Sequence, residues 1–241
     1  MEDAALSTVL DLIGAQHEQG ARPVLVGVAG GVAVGKSTIA RTIADALETR
    51  SALRVSVVSS DGFLHPNAEL ARRGLTLRKG FPESFDDAAI RAFLDELLDG
   101  RTTSAPVHDH STYDIADEPV PVHPGDVVVF EGVNALLFHE RLTITVYVAS
   151  DPEHMRSWFV ERATDLRERA RTEYSPFFDP WTDAPDDAFA DMLEQAWMLV
   201  NLPNLIEAIE PTRSFADVVI TKGRDHTITA VERTERSGGA R

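Results

Sequence analysis

The stretch "GGVAVGKSTIAR", residues 30–41, follows the apolar run PVLVGVAG (23–30) and precedes a segment with helical spacing. It fits the pattern G-x-x-x-x-G-K-[ST] in the order strand, loop, helix that this pattern requires. Small residues let consecutive backbone N–H groups turn inward around a phosphate, and the helix N-terminus adds positive potential. The glycine spacing does not fit the G-x-G-x-x-G pattern of dinucleotide sites. We therefore predict a nucleotide-phosphate loop made of Gly30, Gly31, Val32, Ala33, Val34 and Gly35, with Lys36 on the phosphates and Ser37 on Mg²⁺.

The rest of the chain alternates short apolar strands with helical segments. Alternation of this kind indicates an α/β fold whose mostly parallel sheet is covered by helices on both faces. Pro203 is expected to kink or split the last long helix. We predict one P-loop domain over 1–241, with a helical lid near 151–172 and a frayed tail at 234–241. The predicted helices are 4–19, 36–49, 86–98, 151–172 and 187–209, and the predicted strands are 23–30, 54–60, 126–132, 143–150, 217–223 and 227–233.

Composition restricts the class of protein and its partners. Apolar residues make up 43% and charged residues 26% of the chain, as in ordinary globular domains. The net charge of −16 argues against nucleic-acid binding, which depends on Lys and Arg neutralising phosphates. The apolar runs are too short to cross a membrane, the first residues are acidic rather than basic, and cysteine is absent. We expect a cytoplasmic protein without a membrane or nucleic-acid partner.

Two acidic residues follow predicted strands and are candidates for the chemistry. Asp61 ends the strand at 54–60, beside Gly62, where a general base for a hydroxyl acceptor is needed; the alternative is that it caps the next turn. Glu131 ends an apolar strand and is a candidate to hold Mg²⁺ through water. A Ras-type switch would have D-x-x-G after the strand that ends at Glu131 and N-K-x-D later in the chain, and neither motif is present there. One basic stretch, 71–80, offers local positive charge or simply a solvated loop.

Several blocks together resemble the prokaryotic type I pantothenate kinases, a branch of the phosphoribulokinase and uridine kinase group. They occur in the family's order over residues 23–233, which is more specific than any single motif. The blocks are GVAGGVAVGKST (27–38), SSDGFLHPNAEL (59–70), RKGFPESFD (78–86), APVHDHSTYDI (105–115), VVVFEGVNAL (127–136) and VNLPNLIEAIEPTRSFADVVITKGRDH (200–226).

The resemblance implies ATP-dependent phosphorylation of the primary hydroxyl of pantothenate, the first step toward coenzyme A. By matching position, Lys36, Ser37 and Thr38 would serve the phosphates and Mg²⁺, with Asp61 at the acceptor hydroxyl and Glu131 near the metal. On the lid, Arg162 would reach the transferring phosphoryl group, with Arg167 as second candidate. The remaining matches are His110, Tyr113 and Asn201 for the acceptor pocket, Arg41 and His110 for coenzyme A feedback, and Lys222 and His226 near the adenine.

The chain departs from the family in the acceptor pocket. His108 stands where the family has a pocket tyrosine, Phe159 lacks a hydroxyl that can bond the acceptor, and Leu166 replaces an aromatic residue. The run His108-Asp109-His110 also suggests a metal site, although a polar substrate wall is the more common use of such residues. A lost hydroxyl partner costs about 1–3 kcal/mol.

Three functions are therefore compared. The first is a pantothenate kinase using ATP and Mg²⁺, with coenzyme A as a feedback ligand. The second is a related kinase for another small hydroxylated metabolite or nucleoside, suggested by His108 and Phe159. The third is a nucleotide-binding regulator that no longer transfers phosphate. The sequence leaves a homodimer open.

Overall fold

The computed structural model describes residues 2–234. The strands are β1 (Val24–Gly30), β2 (Val55–Ser59), β3 (Thr103–Ala105), β4 (His108–Asp109), β5 (Asp114–Ile115), β6 (Val120–Val122), β7 (Val127–Glu131), β8 (Ile144–Ala149), β9 (Val218–Lys222) and β10 (Ile228–Arg233). The α-helices are α1 (Glu2–Glu18), α2 (Lys36–Ser51), α3 (Asn67–Arg72), α4 (Asp87–Leu98), α5 (Pro152–Ala170), α6 (Asp179–Thr182), α7 (Asp186–Ala196) and α8 (Leu202–Asn204).

One six-stranded sheet has the order β10-β9-β8-β1-β7-β2. Its strands pair in parallel, except that β10 runs antiparallel to β9. Strands β1, β7 and β8 are buried along their whole length, which explains their uninterrupted apolar sequences. The predicted α/β fold with a mostly parallel sheet is confirmed. Because the parallel strands share a direction, the residues that follow β1, β2 and β7 meet at one edge of the sheet.

Helix ends follow the capping residues in the sequence. The Asp151 side chain accepts a hydrogen bond from the Glu153 amide at 2.8 Å, and Pro152 is the first residue of α5. The Asp86 side chain caps α4 in the same way, accepting from the Ala89 amide at 2.9 Å. The sequence therefore predicted where these two helices start, to within one residue.

Around Pro203 the chain stays helical. Helix α7 continues through a π-helical segment (Trp197–Asn201), α8 and a second π-helical segment (Leu205–Ile209), before a 3₁₀ segment (Glu210–Phe215). Wide π turns accommodate a proline that has no N–H to donate. The expected split at Pro203 is wrong, and the irregularity takes the form of π turns.

Apolar side chains form two clusters. The main cluster surrounds the sheet, and the smaller one lies beneath α5, where Ala163 and Ala170 pack with Phe178, Phe189 and Leu193. Within residues 2–234, no helix is both long enough and apolar enough to cross a membrane. Of the predicted tail 234–241, Thr234 donates its amide to Asp217 O at 2.9 Å, and the remainder lies outside the described residues.

Candidate active site

The loop between β1 and α2 has the backbone of a phosphate cradle. Gly35 adopts φ 90° and Ala33 φ 59°, left-handed values that turn successive amides toward one centre. At Gly30, a Cβ atom would collide with the backbone oxygen of Val148 on the neighbouring strand. Glycine is needed at 30 for space and at 35 for conformation, as the motif predicted.

Lys36 and Ser37 already face this loop and the strand edge. Lys36 Nζ donates to Gly31 O at 2.8 Å, and Ser37 Oγ donates to Glu131 Oε1 at 2.9 Å. Burial lowers the pKa of Lys36, while the carboxylates of Glu131 and Asp61 act in the opposite direction. Burial, reinforced by the negative charge of Asp61, raises the pKa of Glu131, although Lys36 opposes that shift. The predicted phosphate lysine, hydroxyl and acid are thus together, and Thr38 is exposed beside them.

Asp61 lies within a 3₁₀ turn that its side chain does not cap. The 3₁₀ turn Ser60–Phe63 is capped by Ser59, whose Oγ accepts from the Asp61 amide at 3.3 Å. Among the residues that the structure describes, the Asp61 carboxylate accepts no hydrogen bond. The capping alternative is therefore wrong, and the carboxylate is available to a ligand.

A cleft of about 390 Å³ opens beside Asp61, between the edge strand β2 and the short strands β4 and β6. That volume lies within the range of small-molecule sites. His108 and His110 line it, with ring centroids 5.2 Å apart, and Tyr113 lies 5.3 Å from His108. No metal-binding group of His, Cys, Asp and Glu side chains is found within residues 2–234, so the metal interpretation of 108–110 is wrong.

The environment of His108 leads to a prediction about acid stability. Burial lowers its pKa from 6.5, with Lys79 and His110 adding to the effect and Asp61 opposing it. As pH falls below 6.5, the unfolded chain takes up the proton first, so this histidine makes the fold less stable in acid. His108→Gln should flatten the loss of unfolding free energy between about pH 7 and 5. Urea titrations at each pH measure this slope, and an unchanged slope would contradict the assignment.

Tyr113 is held by contacts that the sequence did not predict. Its backbone is left-handed, at φ 57°, which is strained for a tyrosine. Its ring stacks on Phe177 at 4.3 Å, and Lys79 Nζ lies 4.7 Å from the ring centroid. Its carbonyl accepts from Lys79 Nζ at 2.6 Å and Asn67 Nδ2 at 3.0 Å. In the sequence, the only signal for the contact with Lys79 is the basic run at 71–80. The contact with Phe177 has no signal, because Phe177 lies in a connection without hydrophobic periodicity.

The other cations of that basic run are paired. Arg72 and Arg73 both contact Glu69 at 2.6 Å, and Arg78 pairs with Glu83. The run therefore places Lys79 against Tyr113, beside the cleft, and is otherwise a solvated, ion-paired surface.

The two lid arginines have different environments. Arg162 is exposed and has no carboxylate partner among the described residues, and its charge contributes to lowering the pKa of Lys36, an effect smaller than that of burial. Arg167 is 5% exposed. Its three nitrogens donate to Trp181 O at 2.8 Å, Asp186 Oδ1 at 2.9 Å and Ala184 O at 2.5 Å. Arg162 remains a candidate for phosphate, whereas Arg167 as a second candidate is wrong because its donors bind the connection after α5.

Arg167→Met should therefore destabilise the protein rather than slow a reaction. It removes the charge-assisted hydrogen bonds of a buried guanidinium to Asp186 and to the carbonyls of Trp181 and Ala184, for an expected loss of about 2–3 kcal/mol of unfolding free energy. Chemical denaturation measures the loss. If instead stability is retained and turnover falls strongly, the structural role is refuted.

The C-terminal pair contacts the phosphate loop and the lid. Lys222 is buried, and its Nζ donates to Val34 O at 3.0 Å, close to Gly35. His226 is exposed and stacks on Trp158 of α5, with ring centroids 4.0 Å apart. Burial, with a contribution from Lys222, lowers the pKa of His226. Lys222 thus lies against the cradle, and His226 presents a ring surface beside it.

The other predicted acceptor residues are less directly placed. Phe159 packs against both apolar clusters, with its ring centroid 6.2 Å from that of Trp197. Leu166 packs against the smaller cluster. Asn201 donates its amide to Ala196 O at 3.2 Å within its own helix. Within residues 2–234 it has no hydrogen bond to the cleft residues. Arg41 is exposed on α2.

Gly31 of the phosphate loop is closely packed. A Cβ at Gly31 would collide with Met155 Sδ and come within 3.2 Å of Leu205 Cδ1. The lid helix and the π-helical segment therefore occupy the space of a side chain at 31.

Comparison with known proteins identifies relatives over most of the chain. Residues 25–175 match the model of the phosphoribulokinase / uridine kinase family. A pantothenate kinase of Sorangium cellulosum (strain So ce56) is 41% identical over 225 residues, which cover 88% of this chain and 73% of that protein. A pantothenate kinase of Corynebacterium glutamicum (strain R) is 39% identical over 218 residues, covering 87% and 68%. The D-glycerate 3-kinase structure from Cryptococcus neoformans superposes with a TM-score of 0.72 at 14% identity, covering 95% of this chain and 99% of that one, which shows a shared fold.

Proposed function

The chain belongs to the phosphoribulokinase / uridine kinase family and, within it, to the pantothenate kinases, and we propose that it transfers the γ-phosphoryl group of ATP to pantothenate. One structural observation supports this proposal most directly. The unpaired carboxylate of Asp61 lies between the phosphate loop and the cleft, within electrostatic reach of both Lys36 and His108. A base at this position can serve an acceptor hydroxyl whose oxygen faces the γ-phosphate.

The transfer is one in-line displacement. The hydroxyl proton of pantothenate passes to the Asp61 carboxylate as the oxygen bonds to the γ-phosphorus, and the bond to the β-phosphate oxygen breaks, leaving ADP. Lys36 would exchange its contact with Gly31 O for phosphate oxygens. Arg162 would neutralise charge on the moving phosphoryl group, so positioning and electrostatics supply most of the rate.

The residues at the strand edge suit Mg²⁺. The Ser37 hydroxyl and the Glu131 carboxylate, 2.9 Å apart, are oxygen donors of the kind that Mg²⁺ prefers, and a bound cation would favour the ionised form of Glu131. When bound, the ion would neutralise part of the negative charge of the phosphates. Ser37 and Glu131 would orient it through the hydroxyl and through water.

Several properties stay predictions. They are a single kinase domain over 1–241, a lid formed by α5, adenine binding near Lys222 and His226, and location in the cytoplasm. Feedback by coenzyme A at Arg41 and His110, a homodimer, and the absence of nucleic-acid and membrane partners also remain untested. A nucleotide-binding regulator is disfavoured because Lys36, Asp61 and Glu131 interact electrostatically at one site.

The decisive assay supplies Mg-ATP with pantothenate, uridine, ribulose 5-phosphate and glycerate in separate reactions, with Lys36→Ala as the inactive control. We expect turnover on pantothenate alone. Turnover on uridine and none on pantothenate would instead establish the second candidate, a related kinase for another metabolite or nucleoside, which the replacements at His108 and Phe159 favour. Tight ATP binding without turnover on any acceptor would indicate the regulator.

Phe159→Tyr should restore a hydroxyl in the acceptor pocket if this pocket is shared with the family. One added hydrogen bond to the acceptor is expected to lower the pantothenate KM by roughly three- to tenfold, with the ATP KM unchanged. Steady-state kinetics with each substrate varied in turn measure both constants. An unchanged pantothenate KM would indicate that Phe159 lies away from the acceptor.

A further inference from the structure

Two buried asparagines from distant parts of the chain converge on one carbonyl. Asn134 Nδ2 donates to Gly80 O at 3.0 Å, and Asn204 Nδ2 donates to the same oxygen at 2.9 Å. Asn134 follows β7 and is 2% exposed, while Asn204 ends α8 and is 6% exposed. Gly80 is the last residue of the basic stretch and lies in the loop before α4. The three residues join the sheet edge, the C-terminal helix and this loop.

The orientation of both amides follows from the chemistry of the carbonyl. A carbonyl oxygen can only accept, so each asparagine must direct its NH₂ group at Gly80. Each Oδ1 is then buried, and neither has a hydrogen-bond partner among the residues that the structure describes. A buried acceptor without a partner lowers stability. A contribution to stability is therefore a poor explanation for this pair, and the position of the loop is a better one.

The loop that they hold places a cation against Tyr113, beside the acceptor cleft. Gly80 has φ 97°, a left-handed turn that directly follows Lys79. Lys79 Nζ donates to Asn67 Oδ1 at 2.9 Å and lies over the Tyr113 ring. Burial lowers the pKa of Lys79, and the charges of Asp114 and Asp61 oppose that shift. The ammonium is thus part of the charge environment of Asp61 and of the cleft.

The helix geometry explains how Asn204 reaches the loop. Helix α8 lies between two π-helical segments, and π turns rotate the following residues relative to a regular α-helix. Asn204 is buried, whereas Ile206, two residues later, is 57% exposed. The segment around Pro203 thus has a polar side chain inside and an apolar one outside.

We propose that Asn134 and Asn204 are positioning residues for the acceptor step, which hold Gly80 O and thereby place Lys79 against Tyr113, beside the cleft. Among the described residues, neither asparagine has a hydrogen bond to the phosphate loop, so the donor half of the site should be insensitive to their loss. The inference rests on the proposed function for the identity of the acceptor but not for the contact itself.

Kinetics of Asn134→Ala and Asn204→Ala test the role in the reaction. We expect each to raise the pantothenate KM by about 10- to 100-fold, with the ATP KM within about twofold of the parent. Because the asparagines act through Lys79, Asn204→Ala should have little further effect in a Lys79→Met background, within about threefold. A fully additive double mutant, or equal rises in both KM values, would overturn the proposal.

Thr212→Val is the matched control for a purely structural effect. Thr212 is 1% exposed and donates to Ile209 O at 2.6 Å, outside the cleft. This variant should lower Tm without changing either KM. If an alanine variant fails to fold, Asn134→Ser and Asn204→Ser replace it, since the shorter hydroxyl falls short of Gly80 O.

Hydrogen exchange provides a readout that needs no substrate. Gly80 N donates to Ser84 Oγ at 2.9 Å and His65 N to Ser84 O at 2.9 Å, and both amides should exchange faster in the asparagine variants than in Thr212→Val. Unchanged exchange at Gly80 would refute the contact. If the parent protein does not phosphorylate pantothenate, the proposed function fails, while faster exchange at these amides would still support the clamp.

Discussion

Asp61→Asn is expected to lower kcat by about 10²–10⁴, with little change in ATP affinity, as for the loss of a general base. The amide keeps the shape of the carboxylate but cannot take the acceptor proton. The structure supports this choice because Ser59, and not Asp61, caps the turn at Ser60–Phe63. Initial rates at saturating pantothenate, with ATP binding measured separately, give the two quantities.

A matched control for Asp61 is available nearby. Asp114→Asn removes another carboxylate near the cleft, at the start of β5 in the β4–β5 hairpin. This carboxylate already accepts a hydrogen bond from the Asn67 amide at 2.9 Å. It should disturb the hairpin without a comparable fall in kcat. A parent-like kcat in Asp61→Asn would show that the carboxylate is not the base.

Arg162→Met is expected to lower kcat by about 10³–10⁵, the range for an arginine that stabilises a transferring phosphoryl group. Arg162 is exposed on α5, and among the described residues it has no carboxylate to compete with phosphate. The loss should appear in kcat because the charge that the guanidinium stabilises develops in the transition state. Single-turnover kinetics measure the chemical step directly.

Arg169→Met is the control for Arg162. Arg169 lies two turns further along the same helix, is exposed, and has no ion pair within residues 2–234. Its replacement should leave kcat within about twofold of the parent value. That result would show that removing a positive charge from α5 does not by itself lower kcat. Equal effects of the two substitutions would refute a specific role for Arg162.

Much of the fold could be read from local pattern. The apolar runs that became β1, β7 and β8 are buried throughout, and the caps at Asp86 and Asp151 lie at the starts of α4 and α5. Hydrophobic periodicity and capping are properties of neighbouring residues, so they are visible in the sequence. The π turns around Pro203 could not be predicted from the sequence, because a helix can accommodate a proline in more than one way.

The donor half of the site was equally predictable. Gly30, Gly35, Lys36 and Ser37 act within one loop and one helix turn, so their spacing carries most of the geometry. The shared direction of parallel strands then brings Glu131 to Ser37. The acceptor half was less predictable, since Tyr113 depends on Phe177 and Lys79, which come from separate loops.

By itself, the sequence determined the phosphate cradle, the parallel sheet and the acids at its edge, because each depends on short-range order. Tertiary structure alone showed that Arg167 is bound to the connection after α5, which leaves Arg162 as the candidate for phosphate. It also placed Lys222 against the cradle, 188 residues from Val34, and brought Asn134 and Asn204 to one carbonyl. Such contacts join residues that are far apart in the chain, and no spacing rule encodes them.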